Sequence, residues 1–202
     1  MAPKLLVEQL PVGQMNANCY LLYYKQSGEC VIIDPGDEAE YIERKIADHE
    51  LTPTQIIATH GHFDHILAAT ELKLAYKIPF LLHEKDDFLL ARMRDSSMHF
   101  QGIDPGPPPP VDIFLKGGEE ISMGKTKFQI LPTPGHTPGS ICLYLKAQKT
   151  IFVGDLCFAD GSIGRTDHRY SNQKDMINSL QKLHKLPKGT LVYPGHGEEF
   201  YL

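Results

Sequence analysis

Thr59-His60-Gly61-His62-Phe63-Asp64-His65 packs three imidazoles and a carboxylate into six consecutive positions, directly behind the apolar run Gln55-Ile56-Ile57-Ala58. Neutral imidazole and carboxylate are the donors that zinc, iron and manganese accept, and a metal site needs several of them converging. His60 and His62 lie two apart, a spacing that on a strand end or tight loop puts both rings on one side, where one ion takes both. Asp64 and His65 then face another direction as the chain turns into the next helix, so this one segment serves two neighbouring ions. Gly61 removes a side chain between the first pair and lets the backbone turn sharply. The plainer reading, surface histidines at a helix start with Asp64 as its cap, is the weaker one.

Working outward, the strand Gln55 to Ala58, the histidine loop and a helix from Ile66 to Tyr76 come in the order expected of a site at the carboxyl edge of a sheet. Upstream, Leu5 to Leu10, Cys19 to Tyr24 and Cys30 to Ile33 read as strands split by turn residues such as Ser27-Gly28. Asp34-Pro35-Gly36-Asp37 closes this meander, and Asp34 reads as a turn and capping residue for a helix from Glu38 to His49 rather than as a group near the metals. Downstream, the strand Pro79 to Leu82 leads to His83, read as a supporting residue and not a ligand, and to a helix running to about Arg94. The stretch from Met93 to Pro110 reads as a loop. Its proline-dense part, Gly102 to Pro110, is stiff and extended, and serves as either a wall of the substrate site or a connector.

The second half repeats the pattern, with strands at Asp112 to Leu115, Glu120 to Met123, Phe128 to Leu131, Ile141 to Leu145 and Thr150 to Val153. Three further ligand candidates stand in one shared context, an apolar strand ending in a glycine-supported loop. They are His136 in Pro134-Gly135-His136, Asp155 in Val153-Gly154-Asp155, and His196 in Pro194-Gly195-His196-Gly197. Arg165 and Asp167 read as a salt-bridged support for their loop, with a substrate carboxylate as the other use for Arg165. A helix from Asn172 to Leu186 places Met176, Leu180 and Leu183 on one face, toward the core.

Composition narrows the classes of function. With 202 residues, 42% of them apolar, the chain reads as one globular domain over 1–202. Its net charge of −5 and the lack of a basic run leave no general pull toward nucleic acid or an anionic membrane. Lys4 and Glu8 interrupt the N-terminal apolar stretch, which is therefore read as a first strand and not as a signal peptide or span. Cys19, Cys30, Cys142 and Cys157 show no Cys-x-x-Cys spacing and sit in apolar runs, the pattern of buried free thiols in a reducing, cytoplasmic setting.

His60-x-His62-x-Asp64-His65 followed by His136, Asp155 and His196 resembles the full ligand set of the metallo-beta-lactamase superfamily, and the surrounding sequence is similar to its glyoxalase II, or hydroxyacylglutathione hydrolase, branch. The likeness runs from Asn16-Ala17-Asn18-Cys19-Tyr20 to Pro194-Gly195-His196-Gly197. It implies an α+β fold, a four-layer αβ/βα sandwich with the metals at one edge. It also implies two divalent ions, zinc first, with iron and manganese also accepted by these donors. His60, His62 and His136 would hold one ion, Asp64, His65 and His196 the other, and Asp155 would bridge, while Asp64 would also orient the attacking hydroxide. The implied reaction is hydrolysis of a small-molecule thioester of the S-2-hydroxyacylglutathione type.

The C-terminal helical domain by which two-domain glyoxalase II enzymes recognise glutathione has no counterpart after Gly197, so the likeness is to the single-domain members. Metallo-beta-lactamases proper resemble the chain at His60-x-His62-x-Asp64, but typically lack a histidine at position 65 and put a cysteine ligand where Asp155 stands. Nuclease branches share the ligands, yet add phosphate-binding elements for which this acidic chain has no basic stripe. Persulfide dioxygenases resemble it at Gly164-Arg165-Thr166-Asp167 and would use one iron on His60, His136 and Asp155. A non-catalytic, metal-stabilised binding module is the remaining alternative, against which stands the open coordination that three ligands per ion leave.

Overall fold

The apolar segments of the first half pair in chain order. The computed structural model of the chain describes residues 5–124 and 126–202. β1 (Leu5–Val12), β2 (Ala17–Tyr24) and β3 (Glu29–Ile33) form an antiparallel meander. After β3 each return to the sheet is a crossover, because parallel neighbours cannot be joined by a tight turn. α1 (Ala39–Asp48) leads to β4 (Thr52–Ile57), α2 (Ala69–Tyr76) to β5 (Phe80–His83), and the short α3 (Asp87–Leu90) with α4 (Met93–Gln101) to β6 (Ile113–Leu115), so β3 to β6 run parallel. In the second sheet β7 (Glu120–Met123), β8 (Thr126–Pro132), β9 (Ile141–Leu145) and β10 (Thr150–Gly154) are antiparallel. α5 (Gln173–Leu183) then carries the chain to β11 (Leu191–Pro194), parallel to β10, and β12 (Phe200–Tyr201) closes the edge.

Side chains on a strand alternate faces, and here both faces are covered. β2 is buried at every position; its Cys19, Leu21 and Tyr23 join one apolar cluster, its Tyr20, Leu22 and Tyr24 another. β3 divides likewise into Cys30 and Ile32 against Val31 and Ile33. In the second sheet Leu143 and Phe152 face the cluster shared with β2, whereas Cys142, Tyr144 and Ile151 pack with Met176 and Leu183 of α5. Three clusters therefore separate four layers: α1 and α2, the first sheet, the second sheet, and α5. This is the α+β, four-layer αβ/βα sandwich expected from the sequence. No helix among the described residues is long and apolar enough to cross a membrane.

Several sequence expectations are corrected in detail. Residues 1–4 of the expected first strand lie outside the described residues. The helix expected to start at Ile66 begins at Ala69, after a 3-10 turn over Phe63–His65. The helix expected from His83 to about Arg94 is broken into a 3-10 turn and the four-residue α3, and the expected loop beyond Met93 is instead α4. Only Met93 and Ser97 of α4 are buried, so its apolar stripe is too thin to show in the sequence. The proline run does not wall the cavity over the metal cluster. It lies against α2, with Thr70 Oγ1 donating to Pro107 O at 3.3 Å and Lys73 Nζ to Pro110 O at 2.7 Å.

Candidate metal centre

All seven expected ligand residues converge at the carboxyl ends of the strands. The first sheet brings His60, His62, Asp64 and His65 on the loop after β4; the second brings His136 after β8, Asp155 after β10 and His196 after β11. The two sheets are tied at this edge by Asn18 N–H donating to Gly195 O at 2.7 Å, and by Tyr20 O–H donating to Pro194 O at 2.6 Å. Gly195 has to be glycine: a Cβ there would lie 2.2 Å from Asp155 Oδ1. Gly61 is needed for room rather than for a sharp turn. Its φ is not positive, and a Cβ would come within 3.0 Å of both Asp86 O and Leu89 Cβ.

Each of the five imidazoles is anchored through one ring nitrogen to an oxygen, which fixes its tautomer. His62 Nε2–H donates to the Tyr170 hydroxyl at 2.8 Å, and His136 Nδ1–H to Arg165 O at 2.8 Å. His196 Nδ1–H reaches Asn16 O at 3.3 Å, and His65 Nδ1–H reaches Asp34 Oδ2 at 3.2 Å. His60 Nδ1–H donates to Thr59 Oγ1 at 3.1 Å, whose own proton goes to Asp34 Oδ2 at 2.6 Å. The other ring nitrogens all point inward. His62 Nδ1 lies 3.1 Å from His60 Nε2 and 2.8 Å from His136 Nε2. Three lone pairs at such separations repel unless a cation lies between them.

The second group is built from carboxylates and imidazoles. His65 Nε2 stands 3.8 Å from Asp64 Oδ2 and 3.5 Å from Asp155 Oδ1, and His196 Nε2 stands 3.5 and 3.7 Å from the same two oxygens. Asp155 turns its other oxygen, Oδ2, toward His136 Nε2 at 3.5 Å. Two of these atoms, His65 Nε2 and Asp155 Oδ1, are buried with no hydrogen-bond partner. A buried polar atom without a partner is costly and demands an explanation. A cation coordinated by both supplies it, so the donor set fits a metal.

Electrostatics separate the two groups. Burial, then the charges of neighbouring imidazoles, drive His60 and His62 well below the ordinary histidine range, leaving them neutral, as ligation requires. Burial also opposes charge on His65, but Asp155, Asp64 and Asp34 outweigh it and hold the ring up at about 10. Burial would raise Asp64, yet His65 and His196 keep it well below the usual carboxylate range. This half of the centre is thus rich in negative charge, and a cation arriving there displaces protons.

Asp34 is a correction to the sequence reading. It does not cap α1, whose first turn follows Glu38 in a left-handed conformation with no side-chain cap. Fully buried, it accepts from Thr59 N and Oγ1 and from His65 Nδ1, and so braces both groups of ligands at once. Its context, an apolar strand ending at Pro35-Gly36, is the same one that marked His136, Asp155 and His196. Asp86, buried after β5, was also missed. It accepts from Gly61 N at 2.9 Å, Thr137 Oγ1 at 2.6 Å and Gly139 N at 2.6 Å, pinning the His60 loop to the His136 loop. Nothing in Glu84-Lys85-Asp86-Asp87 distinguishes it from its acidic neighbours. His83 stays out of the cluster and bonds Lys116 O. Arg165 and Asp167 form the expected ion pair, at 3.0 and 2.8 Å.

The metallo-beta-lactamase superfamily model matches residues 12–196. The chain is 39% identical over 195 residues to the probable metallo-hydrolase YqgX of Bacillus subtilis, covering 95% of this chain and 90% of that one. It is 34% identical over 199 residues to the hydroxyacylglutathione hydrolase GloC of Haemophilus influenzae, with the same two shares. Among solved structures, BLEG-1, a B3 metallo-beta-lactamase, superposes with a TM-score of 0.90 at 34% identity over 97% of this chain and 94% of that one. TTHA1623 in a di-iron-bound form gives 0.87 at 35% identity over 96% and 94%.

Proposed function

The chain belongs to the metallo-beta-lactamase superfamily, and from that premise we propose that it is a binuclear metal-dependent hydrolase of thioesters, of the S-2-hydroxyacylglutathione type. The observation that carries this reading is the division of Asp155 between the groups, Oδ2 toward His136 and Oδ1 toward His65 and His196. His60, His62 and His136 would hold one ion, Asp64, His65 and His196 the other, with Asp155 shared. When bound, the ions supply a Lewis acid for the carbonyl and lower the pKa of a water to about 7.

The chain's own groups do the rest. The Asp64 carboxylate, held ionised, orients the attacking water by accepting its hydrogen bond. Tyr170, which lines the cavity over the cluster and accepts from His62, directs its O–H toward a substrate oxygen. Oxygen adds to the carbonyl carbon, the C–S bond breaks, and a thiol of pKa about 8.5 leaves as thiolate without a strong general acid, taking up the water's proton afterwards. Similarity to the Haemophilus relative supports the thioester; the equal anchoring of His65 and His196 supports two ions over one.

The test is elemental analysis of protein purified without added metal, together with S-lactoylglutathione hydrolysis under anaerobic conditions. Two ions per chain and oxygen-independent cleavage are expected. One iron, no hydrolysis and oxygen uptake with glutathione persulfide would replace this reading with the dioxygenase. Asp64→Asn should abolish turnover while folding and most of the metal persist; simple unfolding would favour a metal-stabilised binding module. The likeness to BLEG-1 supports a second reading, β-lactam hydrolysis at the same centre, which a chromogenic cephalosporin assayed beside the thioester decides.

A further inference from the structure

The cavity over the cluster holds about 310 Å³ and has His62, Asp64, Asp155 and His196 among its lining, at the small end of the range for ligand sites. Its remaining wall is mostly apolar. Met15 from the β1–β2 turn, Phe100 from α4 and Ile163 from the loop after β10 are 44, 56 and 42% exposed, large hydrophobic residues from three distant parts of the chain brought to one mouth. The apolar surface continues inward: Phe100 stacks parallel on Phe63, centroids 5.8 Å apart, and Phe158 stands edge-on to His196 at 6.2 Å. Exposed apolar surface converging on a reactive centre is a recognition surface rather than an accident of folding.

The charges point the same way. Arg165 is the one lysine or arginine among the described residues lining the cavity, and its guanidinium is taken up by Asp167 through both Nε and Nη2. A carrier with free carboxylates, as in glutathione, calls for unpaired cations, and an unpaired carboxylate against an apolar wall is costly.

We propose that the substrate offers this centre an uncharged apolar arm, seated on Met15, Phe63, Phe100, Phe158 and Ile163, and that this arm, not the charges of a thiol carrier, provides recognition. The inference deepens the thioesterase reading and rests on it. A 2-hydroxyacyl group carrying an alkyl or aryl chain satisfies both.

The experiment uses metal-loaded protein and two homologous series: N-acetylcysteamine thioesters from acetyl to octanoyl, and acetyl thioesters of neutral thiols of increasing chain length. In one series kcat/KM should rise about fourfold per methylene over the first several carbons, with the neutral carrier at least matching glutathione for the same acyl group. Phe100→Ala should cut the longest-to-shortest ratio in that series roughly tenfold. Calorimetric binding of uncleavable S-ethyl and S-octyl thioethers gives a readout independent of turnover, and the octyl compound should bind more tightly. Flat profiles in both series, equal thioether affinities, or a tenfold preference for the glutathione carrier would overturn the inference. Length-dependent thioether binding with no thioester cleaved would overturn the hydrolase reading alone.

Discussion

Asp34 illustrates how one buried side chain governs a site it does not itself complete. Its Oδ2 receives Thr59 Oγ1–H and His65 Nδ1–H, so both groups of ligands are oriented by one oxygen. Removing such an outer partner typically costs 10- to 100-fold in metal affinity. Asp34→Asn should therefore lose at least about tenfold in affinity, measured by competition with a chromogenic chelator, while its circular dichroism stays that of the parent. Unchanged affinity would show that the histidines orient themselves. Asp86 is a different case, for its three donors come from two loops, and of the three the Thr137 hydroxyl has a second partner in Ser140 Oγ at 2.7 Å. Asp86→Ala strands the buried N–H groups of Gly61 and Gly139, and should cost ~3 kcal/mol in urea unfolding. The convergence of the histidines and aspartates was legible because the spacing of His60, His62, Asp64 and His65 is one that coordination would dictate. Asp34 and Asp86 act through partners distant in sequence, and a single chain carries no mark of such pairings.

At the scale of elements, the strands were legible because they are apolar in both phases, as in β2 and β9, or alternate strictly, as in β8, whereas α4 was not. It buries little, and what it offers, Phe100, points at the cavity mouth instead of the core. The proline run is neither helix nor strand, as its residues require, yet its neighbour had to be learned from the fold. Its end is fastened by Asp112, which pairs with Lys73 Nζ at 2.7 Å and accepts from Phe80 N at 2.7 Å. The Lys73 bond, and after it that of Phe80, holds the Asp112 carboxyl below the ordinary range. A depressed carboxylate stabilises the fold above its unfolded pKa of about 3.9, and the contribution is lost as pH falls through the folded value. Asp112 is partly exposed, so solvent screening limits the effect. Asp112→Asn should cost ~0.5–1 kcal/mol at pH 7, and the gap between parent and variant should close below about pH 4. A gap that is the same at pH 7 and pH 3 would mean that packing of the strap, not its ion pair, carries the stability.

For the whole molecule, the centre is a seam. Four of its seven candidate residues come from the half built on the first sheet and three from the half built on the second, while the direct backbone ties at that edge are few. Repetition of strands and turns in the two halves was readable from the sequence, and so was the shared strand-end context of the ligands. The face-to-face docking of the sheets through Tyr20, Phe152 and their neighbours was implied by the family resemblance and not by the residue pattern, since either sheet could in principle have buried that face elsewhere. A cation held by residues of both halves binds the native arrangement and not the unfolded chain, so it stabilises by mass action. At a free ion concentration 1,000 times Kd the gain is about 4 kcal/mol per site, or a rise in Tm of about 8–16 °C for a chain of this size. Calorimetry of protein stripped with a chelator and then reconstituted should show that rise, with the stripped form still folded on its three apolar clusters. If stripping moves Tm by no more than a degree or two, the ions bind the folded chain too weakly to hold the two halves together. If the stripped protein has no transition at all, the sheets do not dock without metal, and the apolar cluster between them is too weak to hold the sandwich by itself.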